Sequence, residues 1–209
     1  MTSEMWWYVI RASGLAAWAL ASASVLVGLV MSTGLVSVKS ARSLHSWLGG
    51  LTVVMIALHL GSLVADSFMT FDLADVTIPF ASSWRPLAVA WGVVAMYLLL
   101  AVEATSLVKS HLPVKVWRGV HLAAFFGFWT ATFHAVTAGT DLGVPAIAGI
   151  VMATVAAVLL LLLLRIGQSV APGARARLAK RRKAAAARAA ARPTPPRAPA
   201  PLAVPSARR

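Results

Sequence analysis

Five long runs of apolar residues, separated by short polar segments, dominate the pattern along the chain. They cover approximately residues 12–36, 44–65, 86–108, 116–138 and 144–166. Each run is long enough to cross the hydrocarbon core of a bilayer, which takes about 20 apolar residues in a helix. Backbone polar groups in lipid must be satisfied within the segment, so each run should be helical. The pattern predicts an all-α membrane protein, a five-span transmembrane helical bundle.

The first apolar run follows a short segment, residues 1–11, whose aromatic cluster at residues 6–8 suits a membrane interface. Residues 21–23, Ala-Ser-Ala, resemble a signal-peptide cleavage site. However, the apolar run continues well past them, and Arg11 is the only basic residue before it. A signal peptide has a charged start and an apolar stretch of about 7–15 residues. We therefore expect the run to be retained as a span.

The composition agrees with a membrane protein, since 59% of the residues are hydrophobic and 12% are charged. A soluble domain has about 25% charged residues. The chain contains no cysteine, which excludes disulfides, iron–sulfur clusters, thiolate zinc sites and covalently attached c-type haem. The net charge of +13 is local, because eleven of the 19 Lys and Arg residues lie in residues 167–209, where there is no Asp or Glu.

The C-terminal segment, residues 167–209, is rich in Ala, Arg and Pro. This composition offers little to build a core, and the proline density near the end prevents a continuous helix. We expect a disordered basic tail attracted to anionic membrane lipid, with a short surface helix over residues 174–191 as the alternative. The tail has no aromatic residues for base recognition, so no nucleic-acid partner is expected.

The charges of the loops predict an orientation. The first and third loops are basic and contain Lys39, Arg42, Lys109, Lys115 and Arg118. The second and fourth loops are mainly acidic and contain Asp66, Asp72, Asp75 and Asp141. Because basic loops stay in the cytoplasm, the N-terminus is expected outside and the C-terminus inside. Spans two and four then both run from inside to outside. The expected location is a bacterial plasma membrane, and the Ala/Arg/Pro-rich tail agrees with a GC-rich genome.

Four of the five histidines lie in these two parallel spans. His45 and His59 have 13 residues between them in span two, and His121 and His134 have 12 between them in span four. His45 and His121 therefore share an inner level, and His59 and His134 share an outer level about 20 Å away. A haem b needs two neutral imidazoles on opposite faces of the ring, within an apolar helical bundle. The pattern predicts two such ligand pairs.

Arginines accompany the inner histidines, since Arg42 and Arg118 each lie three residues earlier on nearly the same helix face. Their guanidinium groups suit haem propionates, and Arg85 is a candidate for an outer propionate. Four glycines would let a flat ring approach the backbone: Gly49, Gly50, Gly61 and Gly127. No residue needs to make or break bonds, because the cofactor carries the electron.

The spacing in span four conflicts with this arrangement. At 100° per residue His45 and His59 lie on one face, whereas His121 and His134 point about 140° apart. We therefore expect helix tilt, a crossing angle or a distortion near Gly127 to correct the direction, with a less regular outer pair as the alternative.

Other interpretations of the histidines remain open. They could form a proton pathway in a small transporter, or hydrogen bonds between helices in a scaffold, and one pair could be structural, leaving a single haem. A metal without haem is disfavoured because each level offers two histidines. His111 is expected to be an exposed loop residue. Glu103 is expected near the inner interface or paired with a basic residue, with a proton-transfer role as the alternative.

The chain resembles the ferric reductase-like transmembrane domain family. That family includes the membrane halves of ferric reductases and NADPH oxidases, and the haem-binding membrane subunit of bacterial methionine sulfoxide reductases. The resemblance covers about residues 12–166. It rests on the two histidine spacings and on three segments: Val-Trp-Arg-Gly-Val-His (116–121), Gly-Thr-Asp (139–141) and Pro-Phe-Ala-Ser-Ser-Trp-Arg-Pro (79–86).

The resemblance implies that all four histidines bind haem iron. It also implies electron transfer from a cytoplasmic or quinone donor to an outer-side acceptor, which could be ferric iron, oxygen or a partner reductase. The oxidases and eukaryotic reductases continue into flavin and nicotinamide domains, whereas a short basic tail follows the last span here. We therefore expect the membrane electron-transfer subunit of an oxidoreductase without its own NAD(P)H domain, leaving a bound flavin or quinone open.

Overall fold

The computed structural model describes residues 3–190. Regular structure in that part of the chain is entirely helical, which confirms the all-α prediction. Six α-helices follow one another: α1 (Ser3–Thr33), α2 (Val38–Ala65), α3 (Leu73–Thr77), α4 (Pro86–Leu107), α5 (Val114–Ala138) and α6 (Pro145–Ala190). Short 3-10 turns, Lys109–His111 and Asp141–Gly143, precede α5 and α6. The chain divides into two units, Met1–Ile166 and Gly167–Arg209.

Within the described residues, four segments are long and apolar enough to cross a membrane: Glu4–Thr33, Ala41–Ala65, Pro86–Leu107 and Pro145–Val170. These helices support a multi-pass membrane protein. Helix α5 has 25 residues and corresponds to the predicted span 116–138, yet it is not among the four. Its sequence contains two histidines, three threonines and two basic residues. The fifth span therefore stays a prediction.

The ends of the chain differ from the sequence-based expectation. Helix α1 begins at Ser3, so most of the predicted interfacial segment 1–11 is part of the first helix. The prediction of disorder is not confirmed for residues 167–190, where the backbone is helical. The alternative helix over 174–191 agrees with this as far as Ala190. The rest of the predicted tail lies outside the described residues.

Two antiparallel hairpins build the membrane unit. Helix α1 packs along α2 and α4 packs along α5, while contacts of α1 with α5 and of α2 with α4 join the hairpins. Gly34 has a φ of +77° in the turn after α1, a conformation that glycine adopts without steric cost. Between the hairpins, the buried Trp18 Nε1 donates to Thr132 Oγ1 at 3.1 Å. This bond holds α1 against α5.

Two buried apolar clusters fill the space between helices. One joins α3 and the segment before it to α4, and the other joins α1, α5 and α6: Phe71, Val76, Val89, Val93 and Met96, and then Val25, Leu29, Phe128 and Val158. Large apolar side chains also cover the outside of the helices, where Trp47 and Phe126 are each 70% exposed. Such a surface would be unfavourable in water and suits contact with lipid.

An ion pair fixes the first helix to the connection before α6. Arg11 donates from Nε to Oδ2 of Asp141 at 3.4 Å, and its Nη2 donates to Oδ1. The guanidinium also lies over the Trp7 ring, 4.0 Å from its centroid. Asp141 is buried, and a buried carboxylate needs such a partner. The contact connects the Gly-Thr-Asp segment to α1.

Candidate functional site

The structure brings the four membrane histidines together as two pairs. In the first pair, His45 of α2 and His121 of α5 have ring centroids 5.9 Å apart and ring planes at 71°. In the second pair, His59 of α2 and His134 of α5 have centroids 6.3 Å apart and planes at 74°. The partners are those that the sequence spacing predicts. His111, by contrast, is exposed in the 3-10 turn before α5, as expected.

Helix α1 anchors both histidines of α2 in the same way. The Nδ1 atom of His59 lies 2.9 Å from the Ile10 carbonyl oxygen, and that of His45 lies 2.9 Å from the Ser24 carbonyl oxygen. Four residues after each carbonyl comes a glycine, Gly14 or Gly28. A Cβ atom at these glycines would lie 3.0 Å from His59 Cε1 and 3.3 Å from His45 Cε1. Each ring thus occupies a glycine niche, meaning a carbonyl at position i and a glycine at i+4.

Helix α4 provides a third glycine niche. The Nδ1 atom of His134 lies 2.9 Å from the Ala88 carbonyl oxygen, and Gly92 follows four residues later. A Cβ atom at Gly92 would lie 2.7 Å from His134 Nδ1, closer than side chains tolerate. The niche is therefore tightest at His134.

These hydrogen bonds determine the tautomer of three rings. A backbone carbonyl can only accept, so Nδ1 must carry the proton in His45, His59 and His134. In a neutral imidazole the lone pair then lies on Nε2. A histidine that donates from one nitrogen to a carbonyl and binds a metal through the other is the usual arrangement in metal sites. In three of the four rings the Nε2 lone pair is thus available to accept a bond.

His121 is held differently. Its ring stacks on Trp117, one turn earlier in α5, with centroids 5.0 Å apart and planes at 27°. Its Nδ1 atom is buried and has no hydrogen-bond partner among the described residues, and the same is true of Trp117 Nε1. Helix α5 is continuous from Val114 to Ala138, so no break near Gly127 redirects the ring.

The candidate propionate ligands lie near the histidines but differ in setting. Arg42 and Arg118 are exposed at the start of α2 and α5. Arg85 precedes α4 in a left-handed conformation, with φ of 42°, and its Nη1 donates to the Thr137 carbonyl at 2.7 Å. Thr137 lies three residues after His134. The structure therefore places Arg85 at the end of the bundle that holds the second pair.

The four glycines that the sequence singled out do not touch the imidazoles. Gly127 packs against Leu99, and nothing lies within 4 Å of a Cβ atom built at Gly61. Gly49 and Gly50 lie beside Glu103, whose Oε2 would be 2.6 Å from a Cβ atom at Gly49. Glu103 of α4 therefore packs against α2 beside Gly49, which lies one turn after His45. The expectation that these glycines let a haem ring approach the backbone stays a prediction.

Sequence reasoning missed the glycines that contact the rings: Gly14, Gly28 and Gly92. A signal for two of them was available, because Gly14 and Gly28 are 14 residues apart, as are His45 and His59. In two antiparallel helices, equal spacings allow the same pairing to repeat at both levels. Trp117 was noted only as part of the segment 116–121.

No protein-family model, no curated protein and no solved structure matches this chain.

Proposed function

We propose that this chain is a di-haem b transmembrane electron-transfer protein of the ferric reductase-like kind. His45 and His121 would hold one haem, and His59 and His134 the other. Electrons would pass from a cytoplasmic or quinone donor to an outer-side acceptor such as ferric iron, oxygen or a partner reductase. The observation that carries the proposal is the pairing of four histidines at two levels of the bundle.

The separation of the rings fits an iron between them. Metal–imidazole bonds of about 2 Å on opposite sides of one iron place the ring centroids roughly 6 Å apart. The observed separations are 5.9 and 6.3 Å. Two imidazoles are sufficient where a porphyrin supplies the other ligands, whereas a metal held by protein alone commonly takes three or four. Among the described residues, no group of three or more metal-ligating side chains occurs.

Each part of the chain would then have a definite task. Haem, when bound, supplies a one-electron carrier that no side chain here can replace. The backbone carbonyls of Ile10, Ser24 and Ala88 orient three imidazoles and keep Nε2 available. The apolar helices exclude water around both pairs, which affects the redox potential. Arg42 and Arg118 are proposed to bind propionates at the cytoplasmic end, and Arg85 at the outer end.

The proposal includes a topology. With α5 as the fifth span, the N-terminus lies outside and the basic C-terminal segment is cytoplasmic, as the loop charges predict. The two pairs then lie about 20 Å apart along the membrane normal, estimated from helical rise. That separation between the two pairs would let electrons cross most of the apolar layer. Lipid is the expected surrounding partner, in a bacterial plasma membrane.

The haem content of the purified chain tests the proposal. A pyridine haemochrome assay with reduced-minus-oxidised spectra should give two b-type haems per chain, because each pair offers one complete axial ligand set. One haem per chain would mean that one pair is structural. Absence of haem from protein expressed with adequate haem supply would reject the proposal. It would favour a proton pathway, for which Glu103 beside Gly49 would be the first residue to examine.

The ring planes predict a specific spectroscopic signature. The imidazole planes of the two pairs stand at 71° and 74°. Bound between rings so oriented, an iron would have its two imidazole-interacting orbitals nearly equal in energy. Ferric low-spin haem with such ligands should give a strongly anisotropic EPR signal with a large highest g value, because axial-ligand geometry determines the electronic structure. A rhombic spectrum, typical of parallel imidazole planes, would contradict the orientation described for both pairs.

A further inference from the structure

The four histidines have unequal support from neighbouring helices. Three occupy glycine niches on α1 or α4, whereas the buried Nδ1 of His121 has no partner among the described residues. In the register of α4 against α5, Gly92 faces His134 and Leu99 faces Gly127. The corresponding position at the level of His121 is Thr105. No glycine stands there, so α4 offers no niche.

The carbonyl that would complete a fourth niche is already in use. Four residues before Thr105 is Ala101, and Thr105 Oγ1 donates to its carbonyl at 2.8 Å and to the Val102 carbonyl at 3.1 Å. The helical phase gives the physical reason for the difference. Fourteen residues of helix return close to the starting face, as in α2, but the 13 residues from His121 to His134 do not. His134 therefore faces α4 and His121 does not.

We propose that Trp117 positions His121, taking the role that a glycine niche has for the other three rings. This inference rests on the proposed function and deepens it, because it distinguishes the two haem sites from each other. Trp117 and His121 are four residues apart on one helix, a spacing at which side chains meet. Their rings stack at 5.0 Å and 27°, within the range of favourable aromatic stacking. The indole face thus limits the rotation of the imidazole.

The consequence is that the first haem site is anchored to a neighbouring helix through one ligand and the second through both. A ring held by a hydrogen bond to a separate helix keeps its place when its own helix moves slightly. A ring held by its own helix follows that movement. Loss of Trp117 should therefore affect the first site alone. Among the described residues, the ring of Trp117 stacks on His121 and has no ring contact with His59 or His134.

The test compares Trp117→Ala, Trp117→Phe and Trp129→Ala in the full chain. Trp129 is a matched control, because it lies in the same helix and contacts Phe128 with centroids 5.2 Å apart. Trp117→Ala should lower the haem content to about half and remove the EPR signal of the first pair, since that pair loses one positioned ligand. Trp117→Phe retains a stacking face and should keep both haems, as should Trp129→Ala.

A haem-free measurement separates this inference from the proposed function. In haem-free protein with labelled histidine side chains, the Trp117 ring current should shift the His121 Cε1–H resonance, assigned with His121→Ala. Trp117→Ala should abolish that shift and leave the resonances of His59 and His134 in place. If the wild type bound no haem but showed this pattern, the haem proposal would fail and the positioning role would stand. Equal loss of both haems in Trp117→Ala, or an unmoved His121 resonance, would overturn the inference.

Discussion

Replacing His59 with alanine is expected to remove one of the two proposed haems and leave the other. His59 belongs to the second pair, and its ring centroid lies 6.3 Å from that of His134. Without it, one side of the proposed iron would have no protein ligand, and the second site should hold its haem much less tightly through purification. The first pair uses different side chains of the same two helices. The haem content should therefore fall to about half, as judged by the pyridine haemochrome assay.

The reciprocal variant makes the assignment specific. His45→Ala should also remove about half of the haem, but the EPR signal that remains should be the one missing from His59→Ala. The double variant should contain none. His111→Ala is the control, because His111 is exposed and hydrogen-bonds its neighbour Ser110 at 3.2 Å. It should keep the full content.

The results also separate the rival interpretations. If only one pair binds haem, one single variant will lose all pigment and the other will lose none. If the histidines serve a proton pathway, no variant will change a haem content, because there will be none to change. Retention of both haems in His59→Ala would contradict the ligand assignment directly.

The pairing of the histidines could be predicted because it follows from elementary helix geometry. Residues at the same distance from the ends of two parallel spans lie at the same depth, whatever the packing between them. This argument needs neither side-chain contacts nor a partner helix. It gave His45 with His121 and His59 with His134 from the spacings alone, and the structure brings the same rings together.

The supporting residues could not be predicted in the same way. The carbonyls of Ile10, Ser24 and Ala88 are backbone groups, which every residue has, so the sequence does not mark them. Which glycine faces a ring depends on the register and rotation of two helices, and these follow from packing over their whole length. Gly61 and Gly127 were predicted, on the helices that carry the histidines, as places where a haem ring approaches the backbone, whereas the imidazole niches lie on partner helices.

The phase conflict in α5 was visible from the sequence, but its resolution was not. A continuous helix cannot present residues 13 apart on one face. Of the alternatives, a break of the helix near Gly127 is not present, because α5 runs unbroken from Val114 to Ala138. The rings reach their partners from different sides, with His134 against α4 and His121 against Trp117. The two pairs therefore differ in how their α5 histidine is held: His134 by a neighbouring helix and His121 by a side chain of its own helix.

The glycine niches predict a graded series of variants. A Cβ atom would lie 2.7 Å from the nearest ring atom at Gly92, 3.0 Å at Gly14 and 3.3 Å at Gly28. Contacts under 3.0 Å force a shift, and a ring in a hydrogen bond cannot shift without loosening that bond, which contributes about 0.5–1.5 kcal/mol. Haem loss should therefore decrease in the order Gly92→Ala, Gly14→Ala, Gly28→Ala.

The identity of the lost haem is part of this prediction. Gly92→Ala and Gly14→Ala act on His134 and His59, so both should weaken the second site, with the larger loss at Gly92. Gly28→Ala acts on His45 and should weaken the first site slightly. Haem content and the EPR signals of the two sites, measured after identical purification, distinguish these outcomes.

Gly149→Ala provides the matched control, because nothing lies within 4 Å of a Cβ atom at Gly149 in α6. Alanine is favoured over glycine inside a helix by roughly 0.5–1 kcal/mol, so this variant should be at least as stable as the wild type and keep both haems. The same propensity gain applies at Gly92, where the contact with His134 opposes it. Full haem content in Gly92→Ala would therefore show that the ring is free to move, and that the niche does not hold the ligand.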